Sequence, residues 1–463
     1  MEVQELLKLY AAHPQVTALD TLLKNDTSRN IFLKGLNGSG PAMTIASLFT
    51  KGRGSYVCVL NDQEEAGYFY HDLMQLTASN EVYFFPSAYR RAIKYGHVDP
   101  ANEILRTEVL SRLQDPDASF VIVTYPDALA ERVVAREVLK ENTLKISVGE
   151  KLDNMFVSDV LDEYGFEQVD YVYEPGQYAL RGSILDVFSF SNEFPYRIDF
   201  FGDEVETIRT FDVETQLSKE KLDSIYIVPE MSKNAKDSTS LLGSLPRNTC
   251  IAARDLAWCK ERIGSVWNDD PVVADEESFA DIDQMRKKLV RGEDFLREVL
   301  DFRRIHFGAR PMGTADATIH FSTQTQPIYH KNFDRVSESF HKYLDEGYTL
   351  YILSDQEKQA NRIRMIFEDR GDNIPFTAVN RTIHEGFADD TLRICFFTDH
   401  QLFDRFHKFN LKSDKARSGK ITLSLKELNQ FSQGDYIVHI DHGVGQFGGL
   451  VRTEVNGKMQ EAI

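Results

Sequence analysis

Apolar and polar residues alternate in three short stretches near the middle of the chain, a pattern typical of β-strands with one buried face. The stretches are Tyr178–Phe188, Tyr196–Phe201 and Val205–Phe211. Gly182 interrupts the first, where we expect a bulge or a close backbone approach, and Gly202-Asp203 joins the other two as a tight turn. The sequence therefore predicts a small antiparallel sheet.

A turn of two residues fixes the expected register of the hairpin. It predicts Phe200 opposite Val205 and Ile198 opposite Thr207, on the face that we expect to be buried.

The other face of the same strands carries Arg197, Asp199 and Phe201. A large aromatic side chain beside a guanidinium on the polar face of a sheet is typical of a protein-binding surface. A purely structural alternative has Phe201 folded under a neighbouring loop, with Arg197 paired to Asp199 or Glu206.

Strands alternate with helices in the part of the chain that precedes this sheet, which indicates a mostly parallel sheet covered on both faces. The predicted strands are Asn30–Leu33, Tyr56–Leu60, Val82–Phe85 and Phe120–Thr124. The predicted helices are Glu2–Tyr10, Gln15–Leu23, a stretch that ends at Phe49, Gln63–Leu76, Glu103–Leu113 and Asp127–Arg136.

The chain after the small sheet holds a second α/β pattern. Ser224–Val228 is a predicted strand, and Asp255–Arg304 has a charged helical pattern. From near His320 onward the sequence predicts a small open α/β sheet. Its elements are the strands Tyr348–Leu353 and Leu392–Thr398 and the helix Gln356–Phe367.

Composition narrows the classes of function. A chain of 463 residues suggests three or four domains, and a net charge of −19 argues against attraction of nucleic acid to the whole surface. The four cysteines, Cys58, Cys250, Cys259 and Cys395, lack metal-ligand spacing and fit a reducing cytosol. Cys58 and Cys395 lie in apolar runs, as core residues do. We find no signal-peptide pattern and no long apolar run, so we expect a cytoplasmic protein.

A strand, a glycine-rich loop and a helix near the N-terminus have the order of a phosphate-binding P-loop. Gly35 and Gly40 keep the motif spacing, but Pro41 stands in the place of the lysine and Ala42 in that of the magnesium-binding hydroxyl. We expect a degenerate loop that binds no nucleotide productively, in preference to a working ATPase site.

Other polar groups receive structural interpretations. Asp399-His400 lacks a nucleophile, so we expect Asp399 to cap a helix. His439 and His442 lack further ligands, so no metal site is expected.

Two charged stretches are interpreted in the same way. Arg90, Arg91 and Lys94 could contact a phosphate backbone, although such clusters are more often solvated loops. The acidic run over residues 269–277 indicates a solvated surface.

Several short sequence segments in the small sheet resemble those of a known family. These are Arg181-Gly182, Ile184-Leu185-Asp186-Val187-Phe188, the run from Tyr196 to Glu204 and Phe211-Asp212. They resemble the module shared by the excision-repair protein UvrB and the bacterial transcription-repair coupling factors. The resemblance implies docking of the UvrA ATPase through Arg181, Arg197 and Phe201.

A second resemblance covers residues 434–450, which are similar to the opening of the RNA-polymerase-interacting domain of coupling factors and CarD-type regulators. It implies a small bent β-barrel that adds an edge strand to the polymerase β subunit. The edge strand falls on Leu450, Val451, Arg452, Thr453 and Glu454. Because half a barrel exposes strand edges, we expect this end to be disordered, packed on another copy or truncated.

The resemblances favour a coupling factor over two alternatives. A UvrB-type helicase subunit would need an intact P-loop and a long DNA-gripping hairpin, and only a short segment lies between Phe85 and Glu103. A CarD-like transcription regulator has no reason to carry the segments that resemble the UvrA-docking module. The resemblance implies a parent protein that moves along double-stranded DNA with ATP and magnesium, whereas this stretch has no motor motif and we expect it to bind no cofactor and catalyse nothing.

The predicted fold class is α/β and multidomain: a UvrB-like domain with an inserted small β domain, a second small α/β domain and the start of a small barrel. The predicted boundaries are 1–128 and 217–318 for the two parts of the UvrB-like domain, 129–216 for the inserted UvrA-binding domain, 319–411 for the small α/β domain, 412–430 for a linker and 431–463 for the polymerase-binding part.

Overall fold

A computed structural model gives the structure of most of the chain. It describes residues 1–25, 28–52, 54–88, 100–115, 117–213, 215–229, 238–268, 286–405, 407, 409, 434, 436–439, 443–446, 448–449, 451–455 and 458–462. The chain divides into two compact units, Met1–Ser413 and Asp414–Ile463. The finer boundaries predicted above stay predictions.

The larger unit is built around a seven-stranded sheet, called here the central sheet. Its strands in spatial order are Ala317–His320, Asn30–Lys34, Arg303–His306, Cys250–Ala253, Tyr56–Val59, Val121–Thr124 and Val82–Phe84. All neighbouring strands are parallel, which confirms the predicted kind of sheet. The sequence does not predict the strand Cys250–Ala253, and Arg303–His306 begins inside a stretch predicted to be helical.

Helices cover the central sheet and bury its apolar side chains in one large core. Their bounds are Val3–Ala11, Pro14–Asn25, Gly40–Thr50, Gln63–Thr77, Pro100–Arg112, Pro126–Leu129, Arg136–Glu141, Leu241–Ser244, Leu256–Asn268 and Gly292–Val299. The helix predicted over Asp127–Arg136 is wrong, because a short strand, Val133–Val134, separates two shorter helices there and pairs with Ser238–Thr239.

A six-stranded sheet, called here the inserted sheet, lies in the chain between two strands of the central sheet. Its strands in spatial order are Ser218–Leu222, Glu204–Phe211, Tyr196–Phe201, Ile184–Val187, Gln177–Arg181 and Glu167–Gln168. The pairings are antiparallel except the last. One face packs on the helix Asn154–Glu163 and on the strand pair Leu144–Ser147 and Ser224–Ile227, which gives this sheet a core of its own.

Two details of the inserted sheet differ from the predicted ones. Gly182 begins a turn between two strands, since Arg181 pairs with Ile184, so the stretch Tyr178–Phe188 is a hairpin and not one strand. Phe200 does pair with Val205, but Ile198 pairs with Ile208.

The cause of the second difference is a β-bulge. The register shifts between Asp199 and Phe200, because Asp199 pairs with Thr207 and Phe200 with Val205. The partner strand therefore has one extra residue, Glu206, and this residue lets the apolar Ile208 enter the core in place of Thr207.

A small α/β sheet follows in the same unit. Its strands in spatial order are Thr323–Thr325, Phe387–Asp389, Ile394–Thr398, Thr349–Leu353 and Thr377–Val379, and its helices are Phe333–Asp345, Glu357–Asp369 and Asp399–Leu402. This agrees with the small open α/β sheet predicted from near His320.

The second unit contains two hairpins, Tyr436–His439 with Gly443–Gln446 and Val451–Val455 with Lys458–Ala462. Several predictions lie outside the described residues. They are the basic cluster at Arg90, Arg91 and Lys94, the acidic run over 269–277, the linker over 412–430, and Leu450 and His442.

Candidate protein-docking site

The inserted sheet has a buried inner face and an outer face that carries the three residues predicted to dock UvrA. Alternate side chains of Tyr196–Phe201 enter the core, which leaves Arg197, Asp199 and Phe201 on the outer face. Arg181 shares this face, because it pairs with Ile184 and Ile184 pairs with Asp199. The structure therefore places Arg181, Arg197 and Phe201 on one side of one sheet.

A buried carboxylate holds the two arginines together. Asp186 is fully buried, and its two oxygens accept hydrogen bonds of 2.7 and 2.8 Å from Nε and Nη2 of Arg197. Nη2 of Arg181 donates to the same carboxylate. Such paired, charge-assisted bonds are strong and directional. The hydrogen bond that Arg197 donates to Asp186 is also the main reason that the pKa of Arg197 is raised.

Neighbouring groups fix each guanidinium further. Nη1 of Arg181 donates to the carbonyl of Asp170 at 2.8 Å, and Arg197 stacks on the ring of Phe211 at 4.3 Å from its centroid. The Arg181 side chain is 35% exposed and that of Arg197 16%. Because both arginine side chains are already ordered, they would lose little conformational entropy when a partner binds.

Phe201 stands at the tip of the hairpin beside the turn Gly202-Asp203. Its side chain is 78% exposed, the largest fraction for any large hydrophobic residue among those described. The structural alternative is therefore wrong: Phe201 is not covered, Arg197 pairs with Asp186, and Asp199 pairs with Arg209.

Asp186 is the site residue that sequence reasoning missed. A signal for it exists, since Asp186 is a lone carboxylate between Leu185 and Val187 in an apolar strand. A charge in such a position needs a partner. The partner could not be named without the pairing of Asp186 with Arg197 across the sheet.

The glycine-rich loop near the N-terminus packs against the small α/β sheet. Gly35 has φ +88°, and a Cβ atom there would lie 2.3 Å from the carbonyl oxygen of Phe321. Gly40 begins the helix Gly40–Thr50, in which Pro41 and Ala42 are buried. The first glycine of the motif is thus required for close packing.

The amides of Asn37 and Ser39 in this loop already have acceptors. Ser39 N–H donates to the carbonyl of Glu385 at 3.0 Å, and the amide of Glu385 donates to Oγ of Ser39 at 3.0 Å. Asn37 N–H donates to Oγ1 of Thr323 at 2.9 Å. In a working P-loop such amides would face phosphate oxygens.

A cavity of about 360 Å³ lies beside the loop, and carboxylates dominate its charge. Asp62, Glu65, Asp72 and Glu385 line it, and Arg254 pairs with Glu65 at 2.6 Å. Burial raises the pKa of Asp72 to about 7. An acidic lining disfavours a polyphosphate, because like charges repel.

The remaining candidates are structural. Thr398, not Asp399, caps the helix Asp399–Leu402, so that prediction is wrong; the threonine hydroxyl accepts from the amide of Gln401, and Asp399 pairs with Arg405 at 3.0 Å. The cysteines are free and buried, as predicted for Cys58 and Cys395. Within the described part of the chain, His, Cys, Asp and Glu side chains form no group that could hold a metal ion.

Family comparison covers the inserted sheet and the C-terminal hairpins. Residues 144–232 match the UvrB interaction domain, and residues 431–463 match the CarD-like/TRCF RID domain.

Over nearly its whole length the chain is similar to transcription-repair-coupling factors. The protein of that name from Staphylococcus aureus strain NCTC 8325 is 23% identical over 97% of this chain and 45% of its own length. That from Bacillus subtilis strain 168 is 23% identical over 92% of this chain and 42% of its own. The predicted resemblance to coupling factors is confirmed. The chain spans a little under half the length of these curated relatives.

Among the described residues, no helix is both long enough and apolar enough to cross a membrane.

Proposed function

We propose that this chain is the recruiting part of a transcription-repair coupling factor and that the outer face of its inserted sheet binds UvrA. The observation that carries the proposal is the exposed ring of Phe201 on the same face as the arginine pair that Asp186 binds. These residues lie within the match to a UvrB interaction domain. Preordered arginines and exposed aromatic rings are the residues that dominate protein interfaces.

The stretch Val451–Val455 is the proposed contact with RNA polymerase. It forms a hairpin with Lys458–Ala462 inside the match to the CarD-like/TRCF RID domain, and this match supports addition of an edge strand to the polymerase β subunit. The proposed contact residues are Leu450, Val451, Arg452, Thr453 and Glu454. A cytoplasmic location fits both partners.

We further propose that this chain binds no nucleotide productively and catalyses no reaction. Support comes from Pro41 and Ala42 in the motif, from loop amides bonded to Glu385 and Thr323, and from the acidic cavity. The whole protein would move along double-stranded DNA with ATP and magnesium, as the resemblance implies. A rise in melting temperature on addition of ATP and magnesium would contradict the proposal for this chain, because a ligand of the folded state must stabilise it.

Binding of purified UvrA to the immobilised chain tests the docking site. Arg197→Ala and Phe201→Ala should each weaken binding about tenfold or more, the effect expected of interface hot spots. Phe201→Ala should leave the melting temperature unchanged, because the side chain is already 78% exposed.

Matched controls come from elsewhere in the chain. Arg297→Ala removes an arginine side chain that is 78% exposed, and Tyr226→Ala removes an aromatic that is 48% exposed. Equal retention of UvrA by all variants would reject the site. A CarD-like regulator would retain RNA polymerase in the same assay and never UvrA.

A further inference from the structure

Exposed apolar side chains are concentrated in the part of the chain that matches the UvrB interaction domain. Fifteen large hydrophobic residues are exposed among the described residues, and eight of them lie between residues 144 and 232, about a fifth of the chain. Contiguous exposed apolar patches mark interaction sites, whereas single exposed apolar residues are normal. The eight residues do not form one patch, because Tyr226 lies on a strand that packs under the inner face. Two of the eight lie in the segments that bind the arginine pair.

Tyr171 lies against Arg181. The Arg181 guanidinium is 5.0 Å from the centroid of the tyrosine ring and donates to the carbonyl of Asp170, while Tyr171 itself is 54% exposed. The next residue, Val172, is fully buried with Phe211 in a small cluster on the outer face. This anchor holds the segment across the outer face and leaves the Tyr171 ring beside the arginine.

Leu217 directly follows Gln216, the residue that binds Arg197. The preceding residue, Gln216, accepts hydrogen bonds from the Arg197 guanidinium through its backbone carbonyl at 3.3 Å and its side-chain oxygen at 3.2 Å. Leu217 is 68% exposed, and its carbonyl accepts from the amide of Asp212 at 3.0 Å. The turn that fixes Arg197 therefore presents a leucine to solvent.

We propose that Tyr171 and Leu217 are further contact residues for UvrA, one in the segment that binds each arginine. With Phe201 they form an apolar rim around the charged pair. Such a rim excludes water from the centre of an interface, and charged hydrogen bonds gain strength where water is absent. The inference rests on the proposed function: the partner is the same UvrA, which would present apolar surface to the rim and acceptor oxygens to the guanidinium groups.

The test measures the affinity of purified UvrA for the chain by titration. Tyr171→Ala and Leu217→Ala should each weaken binding about tenfold, and Tyr171→Phe should bind as the wild type does, because the ring remains. Tyr226→Ala and Leu300→Ala are the matched controls, since these residues are 48% and 49% exposed and lie away from the outer face. Tyr226 belongs to the strand Ser224–Ile227, whose Ile225 and Ile227 pack in the core under the inner face.

The outcomes separate this inference from the proposed function. If Phe201→Ala weakens binding while Tyr171→Ala and Leu217→Ala match the controls, the rim is rejected and the docking site stands. If Phe201→Ala also matches the controls, the docking site itself is rejected.

A double substitution distinguishes contact from support of Arg181. Tyr171→Ala should weaken binding further in an Arg181→Ala background. No further loss would mean that Tyr171 acts only through Arg181, which would overturn its role as a contact.

Discussion

The glycine-rich loop and the outer face of the inserted sheet differ in where their polar groups find partners. Two amides of the loop bond to Thr323 in the small α/β sheet and to Glu385 just before one of its strands. The arginines of the outer face bond to Asp186 within their own sheet, and Phe201 remains uncovered. The loop is bonded to another part of the chain. On the outer face, part of the surface packs on Ile104 of the helix Pro100–Arg112, whereas the arginine pair is held within the sheet and Phe201 is exposed.

The difference separates two kinds of residue that resemble binding residues in a sequence. Groups that form hydrogen bonds with a distant part of the chain stabilise the fold. Groups ordered by near neighbours, beside an exposed aromatic, are ready for a partner, because less entropy is lost on association. Substitutions in the loop should therefore change the free energy of unfolding, and substitutions on the outer face should change affinity.

The largest expected effect is that of Gly35→Ala. A Cβ atom at φ +88° and 2.3 Å from the carbonyl oxygen of Phe321 must displace the segment that follows the central-sheet strand Ala317–His320, so we expect a loss of roughly 3–5 kcal/mol in the free energy of unfolding. Urea denaturation measures it. Gly52→Ala is the matched control, with φ +69° and no atom within 4 Å, and should cost about 1 kcal/mol. Equal losses would show that packing against Phe321 is not what requires a glycine.

Asp186→Ala should have an intermediate effect on the free energy of unfolding, and it should also change affinity. It leaves two partly buried guanidinium groups without their carboxylate, and we expect a loss of roughly 2–3 kcal/mol together with weaker UvrA binding. Asp199→Ala, on the same face, removes a carboxylate that binds one arginine, Arg209, and the hydroxyl of Thr207, and should cost about 1 kcal/mol or less. Urea midpoints that are the same for both variants would contradict the central role of Asp186.

The smallest expected effect concerns His400, which lies in the helix after the last strand of the small α/β sheet. Burial, followed by the nearby His407, lowers its pKa to about 3. The folded state therefore disfavours the charged imidazole, and the stabilisation present above pH 6.5 is lost as the pH falls toward 3.

A pH series of unfolding midpoints tests this sign. Between pH 7 and 5 the wild type should lose about 1–2 kcal/mol relative to His400→Gln. His341→Gln replaces an exposed histidine and should follow the wild type. A constant difference between wild type and His400→Gln would contradict the assignment.

Much of the inserted sheet could be predicted because its pattern is local. Alternation puts Arg197 and Phe201 on one face, and the two-residue turn puts Phe200 opposite Val205. The bulge at Glu206 could not be predicted from the sequence, because it depends on which of Thr207 and Ile208 packs in the core. The carboxylate of Asp186 was missed for a similar reason, because its partners come from other strands.

The central sheet was less predictable where the sequence of a strand has weak β propensity. Cys250–Ala253 contains two alanines, and Arg303–His306 has only one aliphatic residue, so neither has strong β propensity. Their neighbours supply the missing information: His306 is buried and bonds to the side chain of Asn30 at 2.7 Å. Tertiary packing, not local preference, makes these segments strands.

The order of strands in the central sheet also affects how the chain folds during synthesis. The inserted sheet pairs neighbours in the sequence, and its last strand and the strand Ser224–Ile227 under its inner face are both synthesised before Cys250–Ala253. The central sheet must wait for Arg303–His306 and Ala317–His320, which enclose the early strand Asn30–Lys34. Local pairing is fast and distant pairing slow, so the nascent chain should present its inserted sheet as a finished module while the surrounding scaffold is still unformed.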